Sequence, residues 1–197
     1  MCDIITVMDI SWVYVWSQVL TIIEYALLGA SYLAKNRKAV VVLDIVSMTT
    51  GIFAFLLLGA DLGMMMSIII LLANFYYLWD ERVHNKKERT KLHLRDYIVL
   101  AMVLVGIGVI AWLTYDGPLS LLSVMATVLY EVSIWQKSTR IYKFLGIPVA
   151  FCWMTYNGFV HSIFGVICEA VMLVISVVGY VREVRGKNSK KRLKRKG

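Results

Sequence analysis

Long apolar runs, separated by short polar clusters, dominate the chain. A helix needs about 20 residues to cross the apolar core of a bilayer, which is roughly 30 Å thick, and seven runs approach or reach that length. The predicted spans cover residues 11–34, 39–58, 62–79, 97–114, 119–135, 144–156 and 162–181. The pattern therefore predicts an all-α membrane protein with seven transmembrane helices.

The basic residues are confined to alternate connections between these spans. Segments 35–38, 80–95, 137–143 and 182–197 contain all 21 Lys and Arg residues. Seven spans place these four segments on one side of the membrane, so the positive-inside rule predicts an external N-terminus and a cytoplasmic C-terminus. We expect the tail, 182–197, to set this topology and to end in a disordered segment, with no nucleic-acid partner.

Composition agrees with a membrane protein and argues against a separate soluble domain. Hydrophobic residues make up 59% of the chain, against about 45–50% in soluble domains. The cysteines Cys2, Cys152 and Cys168 form no CxxC motif, so neither a disulfide framework nor a zinc site is expected. We expect one integral-membrane domain over residues 1–197.

An internal repeat divides this predicted domain. A shift of 102 residues aligns the first three spans with the last three, and the basic connections and Gly63 with Gly165 coincide. The prediction is a 3+1+3 parallel-repeat bundle: repeats over 11–79 and 119–181, a linker helix over 97–114, and the tail. SWEET-type carriers share this plan and bind substrate between the halves near the midplane.

Four carboxyl side chains fall inside predicted spans, and each costs about 3 kcal/mol to insert into a bilayer centre. They are Glu24, Asp44, Glu131 and Glu169. Asp44 is expected to pair with Lys38 or Arg37 near a helix end. Glu131 either extends toward the basic connection 137–143 or lines a cavity.

Glu169 is the strongest candidate, because no basic residue lies within two helical turns of it. It either lines a central cavity or serves as a structural hydrogen-bond partner. Trp153 and Asn157 are four residues apart and share a helical face, and Asn74 is expected to point inward. The candidate substrate-binding residues are therefore Asn157, Glu169, Trp153 and Asn74, with Glu169 binding a proton or a cationic or hydroxyl-rich solute.

No catalytic motif occurs in the sequence. HExxH, GxSxG and phosphate-loop patterns are absent, and the Met64–Met66 run is interpreted as adaptable packing rather than as a metal site. We therefore expect neither an enzyme nor a cofactor or metal site.

Three stretches carry a resemblance to a known family. They are Lys35-Asn36-Arg37-Lys38, the segment LLGADLG at 57–63, and the series Trp153-x3-Asn157…Ser162-x2-Gly165-x3-Glu169. Over residues 18–182 the chain resembles the YgjV family of bacterial inner-membrane proteins. The resemblance implies a multi-pass protein of the cytoplasmic membrane and a helix bundle remotely related to the PQ-loop group of SWEET sugar carriers. No Pro-Gln pair occurs here; only Gln136 stands at the end of the fifth span.

Two functions remain open at this point. The first is a small-solute transporter with its site between the two three-helix repeats. The alternative is a non-transporting membrane scaffold or an assembly and interaction protein. The expected partners are membrane lipid and a small-molecule substrate, and a homo-oligomer is an open alternative.

Overall fold

The computed structural model describes residues 12–58, 61–83, 91–115, 117–159 and 163–194. These residues form seven α-helices: α1 (Trp12–Leu33), α2 (Arg37–Leu58), α3 (Asp61–Val83), α4 (Leu94–Leu113), α5 (Ser120–Trp135), α6 (Thr139–Phe159) and α7 (Ile163–Lys194). Each predicted span corresponds to one of them, so the all-helical prediction and its seven helices are confirmed for the described part of the chain.

Four described helices are long and apolar enough to cross a membrane. These are Trp12–Leu33, Arg37–Leu57, Leu94–Leu113 and Gly165–Gly186, and Ser120–Trp135 is a shorter apolar helix. Length and composition alone thus support four crossings. The count of seven crossings stays a prediction.

Five helices, α2, α3, α4, α6 and α7, extend beyond their predicted spans into basic segments. Helix α6 begins at Thr139, and α7 continues to Lys194 although a disordered end was expected there. Lys, Arg and Glu are good helix formers. A bond of 3.2 Å between Lys143 Nζ and Glu183 Oε2 also ties the extension of α7 to α6.

Each helix packs against its neighbours in the chain, and the two ends of the chain meet. Helix α2 lies between α1 and α3, α6 lies between α5 and α7, and α4 contacts α3 and α5. Helix α1 also packs along α7 in parallel, with Tyr25 beside Glu169 and Gly29 beside Ile175. This α1–α7 contact brings the first and last helices of the chain together.

Polar side chains are concentrated inside the bundle, whereas large apolar side chains cover its outside. Asp44, Asn74 and Glu131 are completely buried. In contrast, Trp112 is 85% exposed and Met102 is 69% exposed. This distribution is the one expected of a protein whose outer surface contacts lipid.

Candidate functional site

A cavity of about 580 Å³ lies inside the bundle, and all seven helices contribute to its wall. Most of the lining is apolar or aromatic, with several Ser and Thr hydroxyls between. Among the described lining residues, the only acidic or basic side chains are Glu24 on α1 and Glu169 on α7. Large, mostly apolar cavities with few polar groups are typical of small-molecule sites.

The cavity lies toward one end of the bundle. We call the end that carries the α1–α2, α3–α4 and α5–α6 connections the basic end. Thr114, Ser120 and Asn157 line the cavity near the α4–α5 and α6–α7 connections, which are at the opposite end. The cavity thus reaches the end remote from the basic connections.

The two carboxyl groups are held by different neighbours. Tyr25 donates a hydrogen bond of 3.0 Å to Glu169 Oε1, and Glu169 is only 7% exposed. Glu24 lies against Gly51 of α2 so closely that a Cβ there would be 2.5 Å from its Oε1. The hydroxyl of Ser47 on α2 donates a hydrogen bond of 3.0 Å to the backbone carbonyl of Glu24, which joins α2 to α1 at this point. The α1–α2 and α1–α7 contacts therefore bring both carboxyls to one cavity.

Three of the four predicted site residues line this cavity: Trp153, Asn157 and Glu169. Asn157 packs directly against Gly165 of α7. A Cβ at position 165 would be only 2.6 Å from Asn157 Oδ1, so the glycine allows α6 and α7 to approach each other there. Asn74 does not line the cavity. It is completely buried, and neither atom of its amide has a hydrogen-bond partner among the described residues.

Several lining residues were not predicted as site residues, among them Glu24, Tyr25 and Tyr130. Glu24, Leu28 and Tyr32 all line the cavity and follow one another at four-residue spacing on α1. That spacing places them on one helix face, so it was a usable signal. Tyr25 lies beside this face and reaches the cavity through the packing of α1 on α7.

The other two carboxyls inside the bundle have partners that differ from those expected. Asp44 accepts a hydrogen bond of 3.1 Å from Tyr142, so its predicted pairing with Lys38 or Arg37 is wrong. Position 44 faces α6, whereas Arg37 at the start of α2 reaches Glu81 of α3 at 2.9 Å.

Glu131 fits neither of the two alternatives proposed for it. It accepts a hydrogen bond of 2.7 Å from Tyr77 and does not line the cavity. The side chain is completely buried, so it does not extend to the basic connection. Its position between α5 and α3 makes it a tie between two helices that are distant in sequence.

Several buried polar atoms between the cavity and the basic end lack hydrogen-bond partners within the described residues. They are the amide of Asn74, Oδ2 of Asp44 and Oε2 of Glu131; the hydroxyl of Tyr130, a residue of the cavity wall, also lacks a partner among the described residues. An unpaired buried polar group typically costs about 1–3 kcal/mol. The bundle therefore contains a layer of unpaired polar atoms between the cavity and the basic end, and this polar layer lowers its stability.

Ion pairs and hydrogen bonds close the basic end. Lys137 Nζ lies 2.6 Å from Asp80 Oδ2 and 2.8 Å from Asp96 Oδ2, and all three side chains are almost fully buried. Arg37 Nη1 donates to the Ile134 carbonyl at 2.7 Å. These contacts join α2, α3 and α4 to the end of α5.

The described part of the chain holds no group of three or more His, Cys, Asp or Glu side chains arranged to bind a metal ion. No curated protein and no solved structure matches the chain. One family model matches it, over residues 15–187, and that family is described as a bacterial inner membrane protein. Since the match spans most of the chain and agrees with its apolar exterior, the protein belongs to the Imp-YgjV family of bacterial inner membrane proteins.

Proposed function

We propose that this protein is a small-solute transporter that binds its solute in the cavity between two three-helix units. The first unit is α1–α3, the second is α5–α7, and α4 links them. The observation that carries the proposal is the cavity itself, which all seven helices line and which contains Trp153, Asn157 and Glu169. A scaffold whose polar residues only join helices would have no need for such a volume.

Helix boundaries support the division into two repeated units. Helices α2 and α6 begin at Arg37 and Thr139, which are 102 positions apart. Helices α3 and α7 begin at positions with the same separation, and so do the last residues of α1 and α5. Equal helix boundaries at one offset are expected if the units arose by duplication.

The cavity lining supports the same division. Several pairs of lining residues are 102 positions apart, one member in each unit. These pairs are Tyr25 with Thr127, Leu28 with Tyr130, Met48 with Ala150, Phe55 with Asn157, Ser67 with Glu169, and Ile70 with Met172. Repeated units that face each other across a central site are the arrangement used by carriers with parallel repeats.

In the proposed topology all seven helices cross the membrane, with the N-terminus outside and the basic end in the cytoplasm. The cavity is then on the outer side, and the bonds of Lys137 and Arg37 form a closed inner gate. Transport requires a second state in which this gate opens. Water entering there would hydrate the unpaired atoms of Asn74, Asp44 and Glu131, which gives that polar layer a function.

Thiol accessibility tests the proposal. Single cysteines replace Ser67 and Ser123, which line the cavity, and Ser133, which is on the same helix as Ser123 but fully buried outside the cavity. The background carries Ser at positions 2, 152 and 168. A membrane-impermeant maleimide applied from outside is expected to label the cysteines at 67 and 123 but not the one at 133.

The result of this labelling decides between the two functions. Labelling at 67 and 123 means that water reaches deep into the bundle, as a carrier requires. No labelling at either position, from the outside or from the cytoplasmic side, would contradict the transporter and favour the scaffold. Normal membrane insertion of each variant, measured by expression level and gel filtration, is the control.

A further inference from the structure

We infer that the cavity binds a protonated amine with an apolar or aromatic body. This inference rests on the proposed function for the location of the site and adds the chemical class of the solute. The first observation is charge: Glu24 and Glu169 line the cavity, whereas no Lys, Arg or His is among the described residues of its wall. An anion would find no counter-charge there.

The described basic residues that lie near buried acids form ion pairs with carboxylates outside the cavity. Lys137 pairs with Asp80 and Asp96, and Lys143 pairs with Glu183. Within the described part of the chain, the cavity carboxyls therefore have no cationic partner. Because an unpaired buried carboxylate is costly, a cationic ligand would supply the missing charge.

The second observation is the buried hydroxyl of a residue in the cavity wall. Tyr130 lines the cavity and is 5% exposed, and its hydroxyl has no hydrogen-bond partner among the described residues. A phenolic oxygen can accept a hydrogen bond from an ammonium group. The site thus offers a buried acceptor in addition to the two carboxyls.

Aromatic rings complete the lining. Tyr25, Tyr32, Trp153 and Tyr156 all contribute to the wall, and Trp153 packs edge-on against Tyr156 at a centroid distance of 5.9 Å. Rings of this kind attract cations through their faces and accommodate apolar groups. A metal ion fits less well, since Ca²⁺ and Mg²⁺ take about six or more oxygen ligands and the described wall residues include only two carboxyls.

The test compares three probes that share one body and differ in charge. They are 2-phenylethylamine, which is protonated at neutral pH, 2-phenylethanol and phenylacetate. Binding to the purified full-length protein in detergent is measured by isothermal titration calorimetry. We expect the amine to bind about ten-fold more tightly than the alcohol, because it gains one charge-assisted hydrogen bond. Phenylacetate is expected not to bind.

Variants assign this preference to the cavity. Glu169→Gln and Glu24→Gln are each expected to weaken binding of the amine about ten-fold. Glu131→Gln is the matched control, because Glu131 is also a buried carboxyl inside the bundle but does not line the cavity. It is expected to bind the amine as the unaltered protein does.

Tyr130→Phe provides a variant that is expected to fold. It removes a hydroxyl that has no partner among the described residues, so the stability of the variant should be unchanged or higher, whereas binding of the amine should weaken several-fold. Equal affinities for the amine and the alcohol, no binding of any probe, or full binding by the double variant Glu24→Gln/Glu169→Gln would overturn the inference.

Different experimental results would contradict this inference and the transport proposal. Selective binding of the amine, with cavity cysteines that are never labelled, would support the solute class and contradict the carrier. Labelled cavity cysteines with no preference for the amine would support the carrier and contradict the solute class.

Discussion

Glycines mark the places where neighbouring helices approach most closely. Gly146 of α6 faces the ring of Tyr32, which stacks on Tyr142 at a centroid distance of 4.7 Å. Gly179 of α7 touches the backbone carbonyl of Tyr32 on α1. The first contact involves a side chain that can rotate, whereas the second involves backbone. The α1–α7 contact therefore depends on the absence of a side chain at 179.

Gly179→Ala is expected to destabilise the protein by about 1–3 kcal/mol, because the added methyl group would force α1 and α7 apart. Thermal unfolding in detergent measures the effect. Gly108→Ala on α4 is the matched control, since a Cβ there meets nothing within 4 Å. The control should gain up to about 1 kcal/mol from the better helix propensity of Ala. Equal melting temperatures for the two variants would contradict this account of the α1–α7 contact.

At the scale of the helices, sequence predicts the elements better than their partners. Uncharged apolar runs identified all seven helices, but five helices extend farther into the basic segments than predicted, α7 most of all, because polar residues also form helix. Trp153, Asn157 and Glu169 were found because they belong to one short stretch. In contrast, Tyr25 reaches Glu169, and Tyr77 reaches Glu131, because helices that are distant in sequence pack together. No local pattern encodes such contacts.

The proposed inner gate also depends on contacts between packed helices. Asp80→Asn removes one of the two carboxylates that hold Lys137 and leaves Asp96 as its partner, so the protein should still fold. A weaker gate favours the inward-open state, and a change of about 1.4 kcal/mol shifts that population ten-fold. We expect faster maleimide labelling of a cysteine at 123 from the cytoplasmic side.

Glu183→Gln is the control for this prediction. It removes the negative charge from the ion pair with Lys143, which joins α7 to α6 within one unit, and should leave labelling unchanged. Equal acceleration by the two variants would mean that general loosening, rather than gate opening, exposes position 123. No acceleration by Asp80→Asn would argue against a gate at this ion pair.

The whole molecule combines a closed basic end, a cavity at the other end and an apolar exterior. Family membership establishes the bacterial inner membrane, and composition establishes four helices long enough to cross it. Helix α5 is shorter, with 16 residues, and α3 and α6 carry charged residues near their ends, so hydropathy alone leaves the crossing of these three helices undecided. By the positive-inside rule, the segregation of all 21 basic residues predicts that all seven helices cross the membrane.

Single cysteines in the connections test this topology in intact cells with an impermeant maleimide. Tyr115, after α4, is 57% exposed, and Phe159, at the end of α6, is also 57% exposed. Cysteines at these two positions should be labelled before the cells are permeabilised. Cysteines at Lys35, Lys91 and Arg182, which are exposed at the basic end, should be labelled only afterwards. Labelling of 91 and 115 from the same side would mean that α4 does not cross, and the two three-helix units would then be antiparallel rather than parallel.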